Sequence, residues 1–226
     1  MEGFLVIDKP TGLTSRDVVN IAQRWFPRGT KIGHTGTLDP LATGVLVLCV
    51  GAATKLADRV QAMAKCYESR VLVGATSDTD DINGTVVLHE SPPVLLEAIE
   101  ALLPKFVGEI QQMPPQFSAL KVKGRRAHEL ARRGLVVPLE PRTVRIDALA
   151  ILGYTWPHID LVVDCGKGTY IRSIARDLGA ALGVGGVVQT LRRTRVGPFR
   201  AEDGLQLPQD PGAAQAKLLP LHWAEK

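Results

Sequence analysis

Hydrophobic and polar positions follow two rhythms along this chain. "FLVID" is a short apolar run that predicts a strand, and "KPTGLTS" predicts a loop ending at an N-cap candidate, Thr14 or Ser15. In "RDVVNIAQRWF", Val18, Ile21, Ala22 and Trp25 recur at the i, i+3, i+4, i+7 spacing of one helical face. "GVLVLCVG" is apolar throughout and of strand length, which predicts a buried strand. In "CYESRVLVGA", Tyr67, Ser69, Val71 and Val73 alternate with Glu68, Arg70 and Leu72, the period of a strand. "VLLEAIEALLPKF" is helical in pattern until Pro104 interrupts it. Further on, "VRIDALAILGY" and "HIDLVVDC" predict paired strands. "TYIRSIARDLGAALG" predicts a helix, and "GGVVQTLRRTRVGPF" a strand with a basic end.

A different texture separates these halves. "EIQQMPPQFSALKVKGRRAHELARRGLVVPLEPRTVR" is rich in Pro and Arg and contains a short basic helix, "RRAHELARR", so it reads as an inserted lobe. Strands and helices mix without a strict βαβ rhythm, which favours an α+β fold with a largely antiparallel sheet. No repeat, low-complexity stretch or domain linker interrupts residues 1–226, and the expectation is a single domain.

Composition narrows the function classes. The chain is 45% hydrophobic and 22% charged, ordinary values for a soluble globular protein. No apolar run reaches the roughly 18 residues of a membrane span. The N-terminal "MEGFLVIDKP" has Glu2 where a secretory signal carries bases, so a cytoplasmic protein is expected. Cys49, Cys66 and Cys165 never form a C-x-x-C pair, and His34, His89, His128, His158 and His222 are dispersed. Neither a disulfide framework nor a metal site is expected. Cys49 reads as a buried thiol. "GKGT" lacks the frame of a phosphate loop. "DTDDING" has Ile82 where a calcium ligand belongs and reads as an acidic turn, and Gly183, Gly185 and Gly186 do not follow a strand as a dinucleotide fingerprint should.

The net charge of +4 is unevenly spread. Eight Lys/Arg stand against Glu129 and Glu140 from Pro115 to Arg145, and Arg192, Arg193, Arg195 and Arg200 meet no acid from Gln189 to Arg200. Such concentration fits either a polyanion partner or a solvated charged face. Asp39 presents the opposite case, the only acid from Val18 through Ala57. It lies in "GHTGTLDPLATG", where Gly33, Gly36 and Gly44 permit tight turns and Pro40 biases Asp39 toward an extended backbone. This is a stiff loop holding one carboxylate ahead of a buried strand.

"GHTGTLDPLATGVLVLCVGAATKL" resembles the signature of the bacterial TruB family of tRNA pseudouridine synthases. So, in the same order, do "KCYESRVLVGATSDTDD", "PPQFSALKVKGRRAHELARRG" with "CGKGTYIRSIARDLG", and "VVQTLRRTRVGPF". The likeness runs from about Phe4 to Phe199. It implies a pseudouridine synthase fold, a central mixed sheet flanked by helices, with a thumb inserted at about 115–143. It implies isomerisation of uridine 55 in the T-arm of tRNA, without cofactor or metal, by a monomer that needs no protein partner and no membrane. Asp39 matches the catalytic aspartate, Tyr67 the tyrosine that packs on the base, and Arg172 the arginine that pairs with the carboxylate. His34, Tyr170 and Leu191 match residues around the flipped nucleotide. Lys121, Lys123, Arg125, Arg126, Arg132 and Arg133 match thumb positions expected to meet phosphates. Family members commonly continue into a C-terminal RNA-binding PUA domain, and the 27 residues after Phe199 are too few to make one. The rival expectation is a tRNA-folding chaperone that binds without catalysing.

Overall fold

A computed structural model describes residues 1–122, 124–131, 133–207 and 210–225. In chain order its first elements are β1 (Gly3–Lys9), α1 (Ser15–Ala22), β2 (Ile32–His34), β3 (Thr43–Val50), α2 (Ala57–Ala62) and β4 (Lys65–Val73). There follow β5 (Ala75–Ser77), β6 (Val86–Leu88), α3 (Leu96–Leu102) and β7 (Gly108–Gln112), then the short β8 (Lys121–Val122), β9 (Arg125–Arg126) and α4 (Ala127–Ala131). The chain ends through β10 (Arg142–Thr155), β11 (His158–Cys165), α5 (Ile171–Ala181), β12 (Gly186–Val196), β13 (Phe199–Arg200) and α6 (Pro211–Ala216). These form two compact units, Met1–Tyr67 with Leu191–Lys226, and Glu68–Thr190.

In the first unit β3 is the centre. It pairs antiparallel with β1, from Gly3 opposite Val50 to Lys9 opposite Gly44. It also pairs antiparallel with β2, and parallel with β12 where Thr43 and Gly44 meet Arg192 and Arg193. The sheet is therefore mixed. Seven of the eight β3 residues are buried, as a wholly apolar strand requires. Val45, Val47 and Cys49 join Phe4, Val6, Val196 and Phe199 in one core, closed by Val60 of α2 and by Leu219, Leu221 and Trp223. Burial pushes the Cys49 thiol up to about 12, which makes it inert. Thr14 caps α1 in a reciprocal capping box with Asp17, and the helix buries Val18, Val19 and Ala22.

In the second unit β7, β10 and β11 run antiparallel, and β4 neighbours β11. The side-chain alternation of β4 holds, with Tyr67, Ser69, Val71 and Val73 buried and Glu68 and Arg70 exposed. Helix α5 buries Ile171, Ile174, Ala175 and Leu178. Of the glycines that resemble a nucleotide fingerprint, Gly185 and Gly186 serve close packing, together with Gly179 of α5. A Cβ on Gly179 would lie 2.1 Å from the Gly185 carbonyl carbon, and one on Gly185 would lie 2.6 Å from the Ala75 oxygen.

Two sequence expectations need correction, and a third gains detail. "RRAHELARR" is helical only over Ala127–Ala131 among its described residues, because Arg125 and Arg126 form β9 and pair with Lys121 and Val122. "EIQQ" belongs to the sheet, as β7 on β10. The acidic turn at 78–84 joins β5 to β6, a hairpin too short to show a period in sequence.

Gly44 is the tightest point of the first unit. Its φ is +97°, and a Cβ there would fall 2.1 Å from the Arg193 carbonyl oxygen. Gly44→Ala is expected to cost about 3 kcal/mol or more in urea unfolding, since both the backbone conformation and the strand contact must give way. A loss below about 1 kcal/mol would contradict the packing described.

Candidate active site

Asp39 sits in the loop between β2 and β3, half-buried. The main chain of that loop is pinned at several points. The Ala42 amide donates to the Asp39 carbonyl at 3.0 Å and the Gly12 amide to the Pro40 carbonyl at 2.8 Å. Ser15, buried at the start of α1, accepts from the Leu38 amide at 2.9 Å and lies 3.2 Å from the Leu38 carbonyl. The Thr35 amide donates to the Val47 carbonyl at 3.0 Å. A carboxylate on such a loop has little freedom to drift.

Two buried cations lie behind it. Lys9, at the end of β1, is fully buried and donates to the carbonyls of Pro10 (2.9 Å), Leu13 (2.8 Å) and, more weakly, Pro40 (3.4 Å). Burial lowers its pKa to about 8, with Asp39 and Asp17 opposing that shift and Arg193 adding to it. Arg193 is 1% exposed and donates from Nε to the Val45 carbonyl at 2.8 Å and from Nη2 to the Gly36 carbonyl at 3.3 Å. Beside it, Arg192 grips Asp8 through two hydrogen bonds of 2.9 and 3.0 Å, and Gln206 donates to the same carboxylate at 2.9 Å. Two of the three arginines of β12, Arg192 and Arg193, thus spend their guanidinium groups on partners within the protein.

The other family-matched positions of this unit surround the same strands. His34 is the last residue of β2, opposite Leu48. Tyr67 is on β4 and Leu191 on β12, both 8% exposed. The Leu191 carbonyl lies 3.5 Å from the Thr43 hydroxyl, at the start of β3.

In the second unit Arg172 occupies the first turn of α5 and is 4% exposed. It donates from Nη1 to the Thr79 carbonyl at 2.9 Å and from Nη2 to the Phe117 carbonyl at 3.0 Å, and Nη1 lies 3.7 Å from the Asp81 carboxylate. Asp81 is itself held by the Thr79 hydroxyl at 2.7 Å and the Asn83 amide at 3.0 Å. Arg176, one turn on, reaches Asp80 at 2.9 Å and Asp177 at 2.8 Å. Burial raises the Asp80 pKa, while Arg176 and Arg172 oppose the rise. Tyr170 is the N-cap, and Gln112 bonds both its amide (2.8 Å) and its carbonyl (3.0 Å).

Sequence reading missed Lys9, Asp81 and Gln112, and took Arg193 only as part of a basic run. The one available signal for Lys9 was its place directly after a strand and before Pro10. Lys123 and Arg132 lie outside the described residues, as do the side chains of Lys121, Arg125 and Arg126, while Arg133 is exposed. Among the described residues no three His, Cys, Asp or Glu side chains cluster as a metal would require. No described helix is long and apolar enough to cross a membrane.

Lys9 gives this site a pH signature. With a folded pKa near 8 and an ordinary value of 10.5, the unfolded chain keeps over that window a proton the folded chain has lost. Through this group, therefore, stability rises between about pH 8 and pH 10.5. In parallel unfolding curves, the difference between wild type and Lys9→Met should move in favour of the wild type from pH 7 to pH 10. A difference independent of pH would contradict the burial argument.

Comparison with known proteins gives the same outline. The N-terminal domain model of the TruB family of pseudouridylate synthases matches residues 24–171, and the tRNA pseudouridylate synthase B C-terminal domain model matches residues 172–209. A protein of Xanthomonas oryzae pv. oryzae named tRNA pseudouridine synthase B is 45% identical over 98% of this chain and 74% of its own length. One of the same name from Cereibacter sphaeroides is 48% identical, with the same coverage. Among solved structures, a chain of a Cbf5-Nop10-Gar1 complex superposes with a TM-score of 0.74 at 27% identity over 98% of this chain. This chain spans 61% of that one's length.

Proposed function

The chain belongs to the TruB family of pseudouridylate synthases, and from that premise we propose that it isomerises uridine 55 in the T-arm of tRNA to pseudouridine. The observation that carries the reading is Asp39: one half-buried carboxylate on a loop whose main chain is held at Gly36, Leu38, Pro40 and Ala42. The curated relatives' names support the substrate class. The reaction breaks the bond from C1′ to N1 and makes one from C1′ to C5, so N1 gains a proton and C5 loses one. An ionised carboxylate serves such chemistry either by adding covalently or by stabilising charge at the sugar.

The remaining roles rest on the family match, position by position. The target uridine must leave its stack, at a cost of a few kcal/mol, and base–aromatic stacking on Tyr67 returns about 1–3 kcal/mol. His34, Tyr170 and Leu191 line the flipped nucleotide. Arg172 matches the family arginine that pairs with the catalytic carboxylate, and its guanidinium offers the bidentate fork such a pairing uses. Lys121, Lys123, Arg125, Arg126, Arg132 and Arg133 take phosphates, in a protein that acts as a monomer, in the cytoplasm, with no cofactor.

An unmodified tRNA transcript incubated with the protein, then digested and mapped by mass spectrometry, should carry pseudouridine at position 55. A transcript bound tightly but left unmodified would instead favour the tRNA-folding chaperone. Arg172→Lys should keep the fold and lower the single-turnover rate about tenfold or more, because one ammonium cannot reproduce the guanidinium fork; full activity in a folded variant would remove Arg172 from the reaction. Six phosphate contacts should weaken tRNA affinity about a thousandfold between 50 and 200 mM salt. A nearly flat response would leave those bases as solvated surface charge.

A further inference from the structure

The buried guanidinium of Arg193 goes unused by the chemistry above. On the strength of the synthase reading, we propose that Arg193 is a positioning residue: it ties the two ends of the Asp39 loop together, and the aim of the Asp39 carboxylate depends on that tie. The geometry is specific. One nitrogen of Arg193 binds the Gly36 carbonyl, before Asp39, and another binds the Val45 carbonyl, after it. Asp39 lies between these two anchor points. The arginine is itself immobilised, since its backbone pairs with Gly44 and leaves no room there for a side chain. Gly36 has a φ of +108°, which turns the main chain in a way other residues rarely follow.

The choice of residue supports the assignment. Burying a guanidinium is costly, and this one spends its hydrogen bonds on two main-chain carbonyls. A hydrophobic side chain would fill the space without that cost. What only an arginine supplies is a rigid fork reaching two acceptors in different directions. Lys9 anchors the loop separately, through Pro40. Arg193 adds a side-chain bridge between Gly36 and Val45, inside the main-chain bond from the Thr35 amide to the Val47 carbonyl.

The test compares wild type with Arg193→Lys, which keeps the charge but reaches one carbonyl. Single-turnover pseudouridine formation and tRNA binding are measured for both, with melting curves to establish folding. The expected result is a folded variant whose rate falls about 10- to 100-fold, the scale of a misplaced catalytic group, while its tRNA dissociation constant changes less than about threefold. A folded variant within about twofold of the wild-type rate overturns the proposal, as does a loss shared equally by rate and affinity. Should the variant not fold, backbone amide order parameters of wild-type Gly36, Thr37 and Asp39 decide. Values near 0.85 support a tied loop, and values below about 0.6 overturn it. A wild type that binds tRNA yet forms no pseudouridine would sink the synthase reading first, and this proposal with it.

Discussion

Main-chain carbonyls around one loop are held by positive charges that have been taken out of water. Lys9 binds the carbonyls of Pro10, Leu13 and Pro40, and Arg193 binds those of Gly36 and Val45. Much else in the first unit follows from accommodating these two side chains. Strand β1 ends with Lys9 buried, and β12 runs parallel to the start of β3, where buried Arg193 pairs with Gly44. Gly44 must be a glycine because the Arg193 backbone occupies the space of a Cβ. Charges buried against carbonyl dipoles hold a backbone more stiffly than apolar packing does, since each displaced acceptor leaves a donor unsatisfied. The carboxylate of Asp39 is presented by that framework.

The second unit solves a similar problem with charge pairs. Arg172 and Arg176 rise from one face of α5 and are met by the 78–84 turn, where Asp80 and Asp81 stand one after the other. Gln112 and Met113, at the end of β7, bond Tyr170, Ser173 and Arg176. The helix start is thereby fixed on two sides, and the close crossing at Gly179 fixes its other end against Gly185 and Gly186.

Periodicity made most of the fold legible. The uniform burial of β3, the alternation of β4, the capped face of α1 and the pairing of β10 with β11 all follow from patterns local to each segment. What local patterns could not carry was any role set by a distant partner. Lys9 looks like an ordinary loop-side lysine until Leu13 and Pro40 fold around it. Arg193 sits in a run that reads as a solvated or RNA-facing stretch, and its acceptor Val45 is 148 residues away. The acids of "DTDDING" read as a turn, which they form, but their arginine partners lie in α5. Asp39 was legible for the opposite reason: an acid alone in forty residues, between glycines and before a proline, stands out from sequence.

The proposed reaction rests on this one carboxylate. A tRNA transcript carrying tritium at uridine C5 releases that label only when the C5–H bond is exchanged for a bond to the sugar. Wild type and Asp39→Asn, matched for tRNA affinity, should differ completely: release by the first and none by the second. Release by Asp39→Asn at a rate near that of the wild type would contradict the account, leaving Asp39 as a well-anchored turn.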